Sequence, residues 1–258
     1  MISPYFSIET THAQDKVQSL ATTSGMTGLT IKRCKTKTMR INSVKEDPIK
    51  LGNEDIKDVT SFAYLGSVIA IDGGSERDVL VRISKARTAV LLLRPVWRSK
   101  DIFLRPKFRI FNTNVKTLLM YGAETWRVTK NIADKVQAFV NRCLRYMLGV
   151  RWPETISTEN LWRKAQEERM LSQIRRKKWK WIGHTLRKQR ESVTRQAFFW
   201  NPQGKRKRGR PKNNGRRSVK QELPRAGLKW NELELRAQDR NEWRNIVDAL
   251  YSIAERGG

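Results

Sequence analysis

Three observations predict an α+β fold that is mainly α. Between residues 29 and 70, short apolar stretches alternate with polar residues and are punctuated by glycine turns, as strands are. From Ser75 onward, apolar residues recur at helical spacing almost to the carboxy terminus. Between Leu171 and Lys220 there are 18 Lys and Arg and a single acid, Glu191, so a long basic helix and a basic linker with a polyanion partner are expected there. The whole chain of 258 residues carries Lys+Arg 53 against Asp+Glu 25, a net charge of +28. A chain of this length can bury a core, and nine tryptophans argue against disorder throughout.

The elements follow in order. Residues 14–26 read as a polar amphipathic helix, ended by Gly25 and Gly28. Leu29-Thr30-Ile31 begins a short strand, Lys32-Arg33-Cys34-Lys35 is a basic turn, and Thr38–Asn42 alternates as a half-buried strand. Ile49 and Leu51 lead into a Gly52-Asn53 turn, and Phe62–Ile69 is the strongest strand, broken by Asp72-Gly73-Gly74. Ser75 then caps a helix whose Val79, Ile83, Ala86, Val90, Leu93 and Trp97 share one face, with Pro95 kinking or ending it. A second helix fits 107–126, with Phe108, Phe111, Val115, Leu118, Leu119 and Tyr121 apolar. A third fits 132–148, with Val136, Phe139, Val140, Cys143, Leu144 and Met147 buried and Gly149 as its stop. Short links between the three predict an antiparallel bundle. Past Trp152-Pro153, one long helix capped by Ser157 carries Leu161, Ile174 and Ile182. Residues 201–217 are a Pro/Gly/basic linker, and a last helix spans 230–253. The expected divisions are therefore 1–72, 73–150, 151–200, 201–217 and 218–258.

Several function classes drop out. Cys34 and Cys143 lie far apart and make no disulfide framework, and His12 and His184 give them no zinc spacing. No segment approaches the roughly 20 apolar residues of a membrane span, so no membrane partner and an intracellular location, nuclear or cytoplasmic, are expected. No nucleophile elbow, phosphate loop or metalloprotease motif is present.

What remains is a polyanion site. Arg175, Arg176, Lys177, Lys178 and Lys180, with Arg187 beyond them, suit phosphate contacts that release counterions. Trp179 and Trp181 lie among them, and indole faces stack on unpaired bases for roughly 1–3 kcal/mol each. Large aromatics at helical spacing are more often core, and for these two rings that reading is favoured. Lys205, Arg206, Lys207, Arg208, Arg210 and Lys212 form a second basic run. Its Arg208-Gly209-Arg210-Pro211 is the centre of an AT-hook, in which glycine admits the backbone to a narrow minor groove.

The order of these features resembles the carboxy-terminal part of the endonuclease–reverse transcriptase of non-LTR (LINE-type) retrotransposons, from about His12 to Ile253. Gly28-Leu29-Thr30-Ile31 with Lys35-Thr36-Lys37 looks like palm motif D. Phe62-Ala63-Tyr64-Leu65-Gly66 looks like motif E, the primer-grip β-hairpin. Arg82-Ile83-x-x-Ala86 and Leu119–Trp126 match the helical thumb. Arg142-Cys143-Leu144-Arg145, Trp181-Ile182-Gly183-His184 with Arg187, and Arg208–Pro211 match the basic tail. The resemblance implies a palm remnant, a thumb-like bundle and a basic helical region. It makes Lys35 and Lys37 vestigial motif D candidates, and Phe62, Tyr64, Leu65 and Gly66 a primer grip.

One departure governs the functional expectation. The family polymerises with metal-binding aspartates, some in an Ala-Asp-Asp turn, and the sequence has no such turn. Without carboxylates to hold two Mg²⁺ ions, attack on a triphosphate lacks electrophilic stabilisation. The expectation is a truncated reverse-transcriptase fragment with no catalytic residues, metal or cofactor of its own. Mg²⁺ would enter only with an upstream catalytic half supplied in trans. It should retain binding to RNA, RNA–DNA hybrid or DNA. A palm remnant short of its sheet should also expose strand edges. An independent AT-hook chromatin protein and a translated element remnant without a role are the alternatives.

Overall fold

Strands and helices segregate along the chain, and the fold is α+β, mainly α. The computed structural model describes residues 10–41, 47–150, 152–199 and 215–252. The chain divides into two units, Met1–Val81 and Arg82–Gly258.

The first unit opens with helix α1 (Thr10–Met26), none of whose residues is buried. Hydroxyls of Thr22, Thr23 and Thr27 donate back to the carbonyls of Gln18, Ser19 and Thr23, a local satisfaction that needs no core. The strand expected at Leu29–Ile31 is absent: that stretch pairs with no ladder and leads into a 3₁₀ turn at Arg33–Lys35. Six short strands follow, β1 (Lys37–Thr38), β2 (Lys50–Leu51), β3 (Glu54–Asp55), β4 (Lys57–Asp58), β5 (Ser61–Tyr64) and β6 (Ser67–Ala70). They form three two-stranded pairs: β1 parallel to β4, β2 antiparallel to β3, and β5 antiparallel to β6.

The β2–β3 hairpin turns on Gly52-Asn53, as its sequence predicts, with Gly52 at φ +64°. Lys50 pairs with Asp55 while Ile56 N–H donates to the Ile49 carbonyl at 2.8 Å. The polar backbone groups of Lys50 therefore point away from β3. There the Gln14 amide meets both: its Nε2 donates to the Lys50 carbonyl at 2.9 Å and its Oε1 accepts Lys50 N–H at 2.8 Å.

The single strand expected over Phe62–Ile69 is instead a tight hairpin. Leu65 and Gly66 form its turn at φ +47° and +81°, the left-handed pair that a type I′ turn requires. Leucine gives no turn signal, so the sequence reads through it. Asp78 ties the hairpin to the following helix, its Oδ1 accepting Val68 N–H at 2.8 Å.

Helix α2 (Glu76–Leu92) runs across the division, and Pro95 restarts the chain as α3 (Arg94–Arg98). The expected helix 107–126 is composite: α4 (Leu104–Ile110), a π-helical turn (Phe111–Lys116) and α5 (Thr117–Leu119). Phe111, Val115 and Leu119 are buried, whereas Leu118 and Tyr121 face outward. It stops early because Gly122 turns left-handed at φ +74°. Helix α6 (Lys130–Met147) follows its predicted face closely, with Thr129 accepting Ile132 N–H at its start. Gly149 at φ +72° stops it.

The long helix expected from Ser157 is two, α7 (Thr158–Ala165) and α8 (Met170–Leu186). Gln166 breaks it at φ +51°, and Glu167 N–H bonds back to the Trp162 carbonyl. Helix α9 (Val193–Phe199) precedes the undescribed residues 200–214, and α10 (Gly215–Glu222) begins inside the expected linker. The last expected helix is also divided, into α11 (Leu233–Gln238) and α12 (Arg240–Ser252). Asp239 interrupts it, its Oδ1 capping the N–H groups of Asn241 and Glu242. Helix α8 is the hub of the second unit and packs on α6, α11 and α12.

Candidate nucleic-acid interface

Helix α8 carries the charge the sequence singles out, and its geometry divides that charge in two. One face is apolar: Ile174, Trp179, Ile182 and Leu186 are fully buried. Trp179 and Trp243 pack with ring centroids 5.7 Å apart, and Trp243 Nε1 donates to the Trp179 carbonyl at 3.0 Å. This approach needs a helix surface with no side chain at position 183. A Cβ on Gly183 would lie 2.2 Å from Trp243 Nε1. The glycine in Trp181-Ile182-Gly183-His184 thus has a packing cause, and its signal lies 60 residues away.

Trp179 is accordingly a core residue and no stacking platform, which corrects its place among the nucleic-acid-binding candidates. Its Nε1 donates to Glu222 Oε2 at 2.6 Å. Trp181 is half-buried and packs against the same apolar cluster.

Most of the neighbouring cations are also engaged within the fold. Arg175 lies 3.7 Å from Glu222 Oε1, and Arg176 pairs with Glu168 at 2.5 Å. Lys177 donates to the Met120 carbonyl at 2.6 Å and pairs with Glu124 at 3.3 Å. Burial pushes the Lys178 ammonium below its usual range, with Glu222 opposing. Arg187 donates to the Ala237 carbonyl at 2.7 Å. Arg195 caps the end of α8, donating to the Leu186 and Lys188 carbonyls and pairing with Glu234 at 3.0 Å. Lys180, Arg190 and Lys220 are exposed.

Glu222 is the residue that reading the sequence missed. It gathers Trp179, Arg175 and Tyr251, whose hydroxyl lies 3.5 Å away. Burial and this carboxylate together push the Tyr251 phenol well above its ordinary range. The only signal was an isolated acid just past the basic run. The candidates Lys205, Arg206, Lys207, Arg208, Arg210 and Lys212 lie outside the described residues.

In the first unit, Lys35 sits exposed in the 3₁₀ turn and Lys37 exposed in β1 opposite Lys57. Phe62 and Tyr64 are half-buried in β5, and Leu65 and Gly66 form the hairpin tip, with Leu65 73% exposed. Among the described residues no group of three or more His, Cys, Asp or Glu is placed to hold a metal ion. No helix among them is long and apolar enough to cross a membrane.

Comparison with known proteins adds two findings. Residues 89–121 match the model of a domain of unknown function (DUF6451). The chain is similar to a Caenorhabditis elegans protein whose name calls it uncharacterized and transposon-derived, at 22% identity over 253 residues, covering 91% of this chain and 88% of that one. No solved structure matches.

Proposed function

We propose that the chain is a transposon-derived nucleic-acid-binding protein descended from the reverse transcriptase of a non-LTR retrotransposon. Its basic carboxy-terminal region engages RNA, RNA–DNA hybrid or DNA through phosphate contacts, and it does not polymerise on its own. The observation that carries this reading is the charge of residues 171–220. Acids from elsewhere in the fold, Glu124, Glu168, Glu222 and Glu234, meet only part of it. Even with all four counted, a segment of 18 bases with one acid of its own stays strongly positive. Such an excess is not a balanced solvated face, and it attracts a polyanion. Similarity along most of the chain to a transposon-derived protein supports the reading. So does the tight hairpin at β5–β6, where the resemblance expects a primer grip.

Exposed Lys180, Arg190 and Lys220 supply phosphate contacts, and Arg175 to Lys178 chiefly hold the fold that presents them. Binding should therefore weaken steeply with salt, the logarithm of affinity falling by roughly 0.7–0.9 per phosphate contact for each decade of salt. Charge reversal at Lys180, Arg190 and Lys220 together should weaken single strands, hybrids and duplexes alike, as fluorescence anisotropy would read. Binding that ignores salt would sink the proposal. Primer extension with Mg²⁺ or Mn²⁺ should be blank, and robust nucleotide incorporation would overturn the second half of it.

The Arg208-Gly209-Arg210-Pro211 sequence favours one further reading, an AT-hook. Preference for AT-rich over GC-rich duplex, lost on deleting residues 205–217, would establish it; equal affinity for both would dismiss it.

A further inference from the structure

A groove in the second unit, lined by no residue of the basic segment, joins cations to exposed aromatic surface. It has a volume of about 480 Å³ and lies between α3, the loop into α4 and the end of α6. Arg98, Lys100 and Lys107 line it, with Phe103 and Tyr146, and none of its lining residues is an acid. We propose that this groove binds a single-stranded nucleic acid, with an unpaired base stacked on Phe103 and the adjoining phosphates on Arg98 and Lys100.

The reasons are geometric. Phe103 is 82% exposed, an apolar ring held in water with nothing of the fold against most of its surface. It is not on a slack loop: it occupies the residue before α4, and its carbonyl accepts Lys107 N–H at 3.3 Å. Lys107 is only 7% exposed, and its ammonium donates to the Trp97 carbonyl at 3.1 Å and the Ser99 carbonyl at 2.7 Å. That buried cation pins the loop and adds positive potential to the groove floor, where screening by water is weakest. Arg98 and Lys100 flank it and are exposed. Tyr146, 36% exposed, offers a second ring from α6.

An exposed aromatic face among cations is the arrangement that holds unpaired bases, because every base has a face to stack while its backbone tracks the charge. A duplex hides those faces, so the groove discriminates against it. The segment matching the domain of unknown function, residues 89–121, supplies α3 and Phe103. The inference rests on the reading that the chain binds nucleic acid, and it names the form bound here.

The test uses the full chain, with labelled oligothymidylate, oligouridylate, a strand of abasic sites and a blunt duplex, followed by fluorescence anisotropy. Phe103→Ala should weaken both single strands about tenfold and leave the duplex and the abasic strand within about twofold. Phe103→Trp should restore binding. Lys100→Ala should lower the salt slope for single strands by about 0.7. Equal loss for single strand and duplex, or no loss with Phe103→Ala, would overturn the proposal. If the wild-type chain binds nucleic acid yet ignores Phe103, only this site fails; if it binds none, the wider reading fails with it. Phe103 is solvent-exposed, so circular dichroism of Phe103→Ala should match the wild type. A changed spectrum would identify a folding role in place of a binding one.

Discussion

Each of the two units holds its own fold by different physics. In the first, the buried apolar side chains among the described residues are few, Ile49, Ile56, Ala70 and Val79. Directional polar bonds do much of the joining there: Gln14 to Lys50, Asp78 to Val68, Arg40 to Asp58 at 3.0 Å. Its Arg33–Glu54 pair has both side chains more than half exposed, and such pairs contribute about 0–1 kcal/mol. In the second unit buried apolar side chains are many, from Trp97, Phe111 and Leu144 to an apolar cluster that includes Trp179, Trp243 and Tyr251. Burial is non-directional and scales with area, so the second unit should resist opening far better than the first.

The two cysteines sample the two regimes and give the largest expected contrast. Cys34 is exposed and Cys143 is buried. Burial pushes the Cys143 thiol up from 9.0 to about 12, against the opposing charges of Arg142 and Arg87. At pH 8 the reactive thiolate of Cys143 is then about one part in ten thousand. Alkylation followed by mass spectrometry should mark Cys34 quickly and Cys143 only after unfolding. Because the folded pKa is raised, this thiol's contribution to stability is complete below about pH 9 and is lost as pH climbs toward about 12. Equal labelling of both cysteines in the native chain would break the contrast.

Gly183→Ala should come next. With Trp243 Nε1 in its way at 2.2 Å, the added methyl forces an indole of the core to move. Overpacking of this kind costs about 1–3 kcal/mol, despite alanine's better helix propensity. Thermal unfolding of the second unit would read it, and an unchanged or raised Tm would show that the core is looser than described. The smallest effect belongs to the first unit. Leu65→Asn places Asn-Gly in the hairpin turn and should stabilise it by about 0.5–1 kcal/mol, seen as slower amide exchange in β5 and β6. Faster exchange would mean that Leu65 is held there by contacts worth more than its backbone strain.

The same contrast explains what was legible in the sequence. Helices α2 and α6 were readable because their apolar faces repeat at helical spacing, with Pro95 just beyond the first and Gly149 just beyond the second. The break at Gln166 was not, because glutamine gives no helix-end signal, and Asp239, a good N-cap residue, is masked by an apolar pattern that continues on both sides of it. At Leu65 tertiary context holds a leucine in a conformation that its type disfavours. The candidate interface was half legible. Its charge could be counted, but the division between cations that hold the fold and cations that face water depends on partners far along the chain, Glu124 and Glu222 among them. The Phe103 groove was invisible for a related reason: an exposed phenylalanine looks like any core residue until the fold shows what fails to cover it.

Gln14 has one more consequence. A strand whose N–H and C=O groups point outward invites another chain to pair with it, and intermolecular sheets begin at such sites. At Lys50 the amide of Gln14, which has the same donor and acceptor as a peptide bond, stands where the next strand would dock. One side chain from a helix with no buried residue thereby fills the hydrogen-bonding positions that a further strand would use at Lys50. A polar helix with no buried residue thus satisfies, through one amide, backbone groups that β3 leaves unpaired.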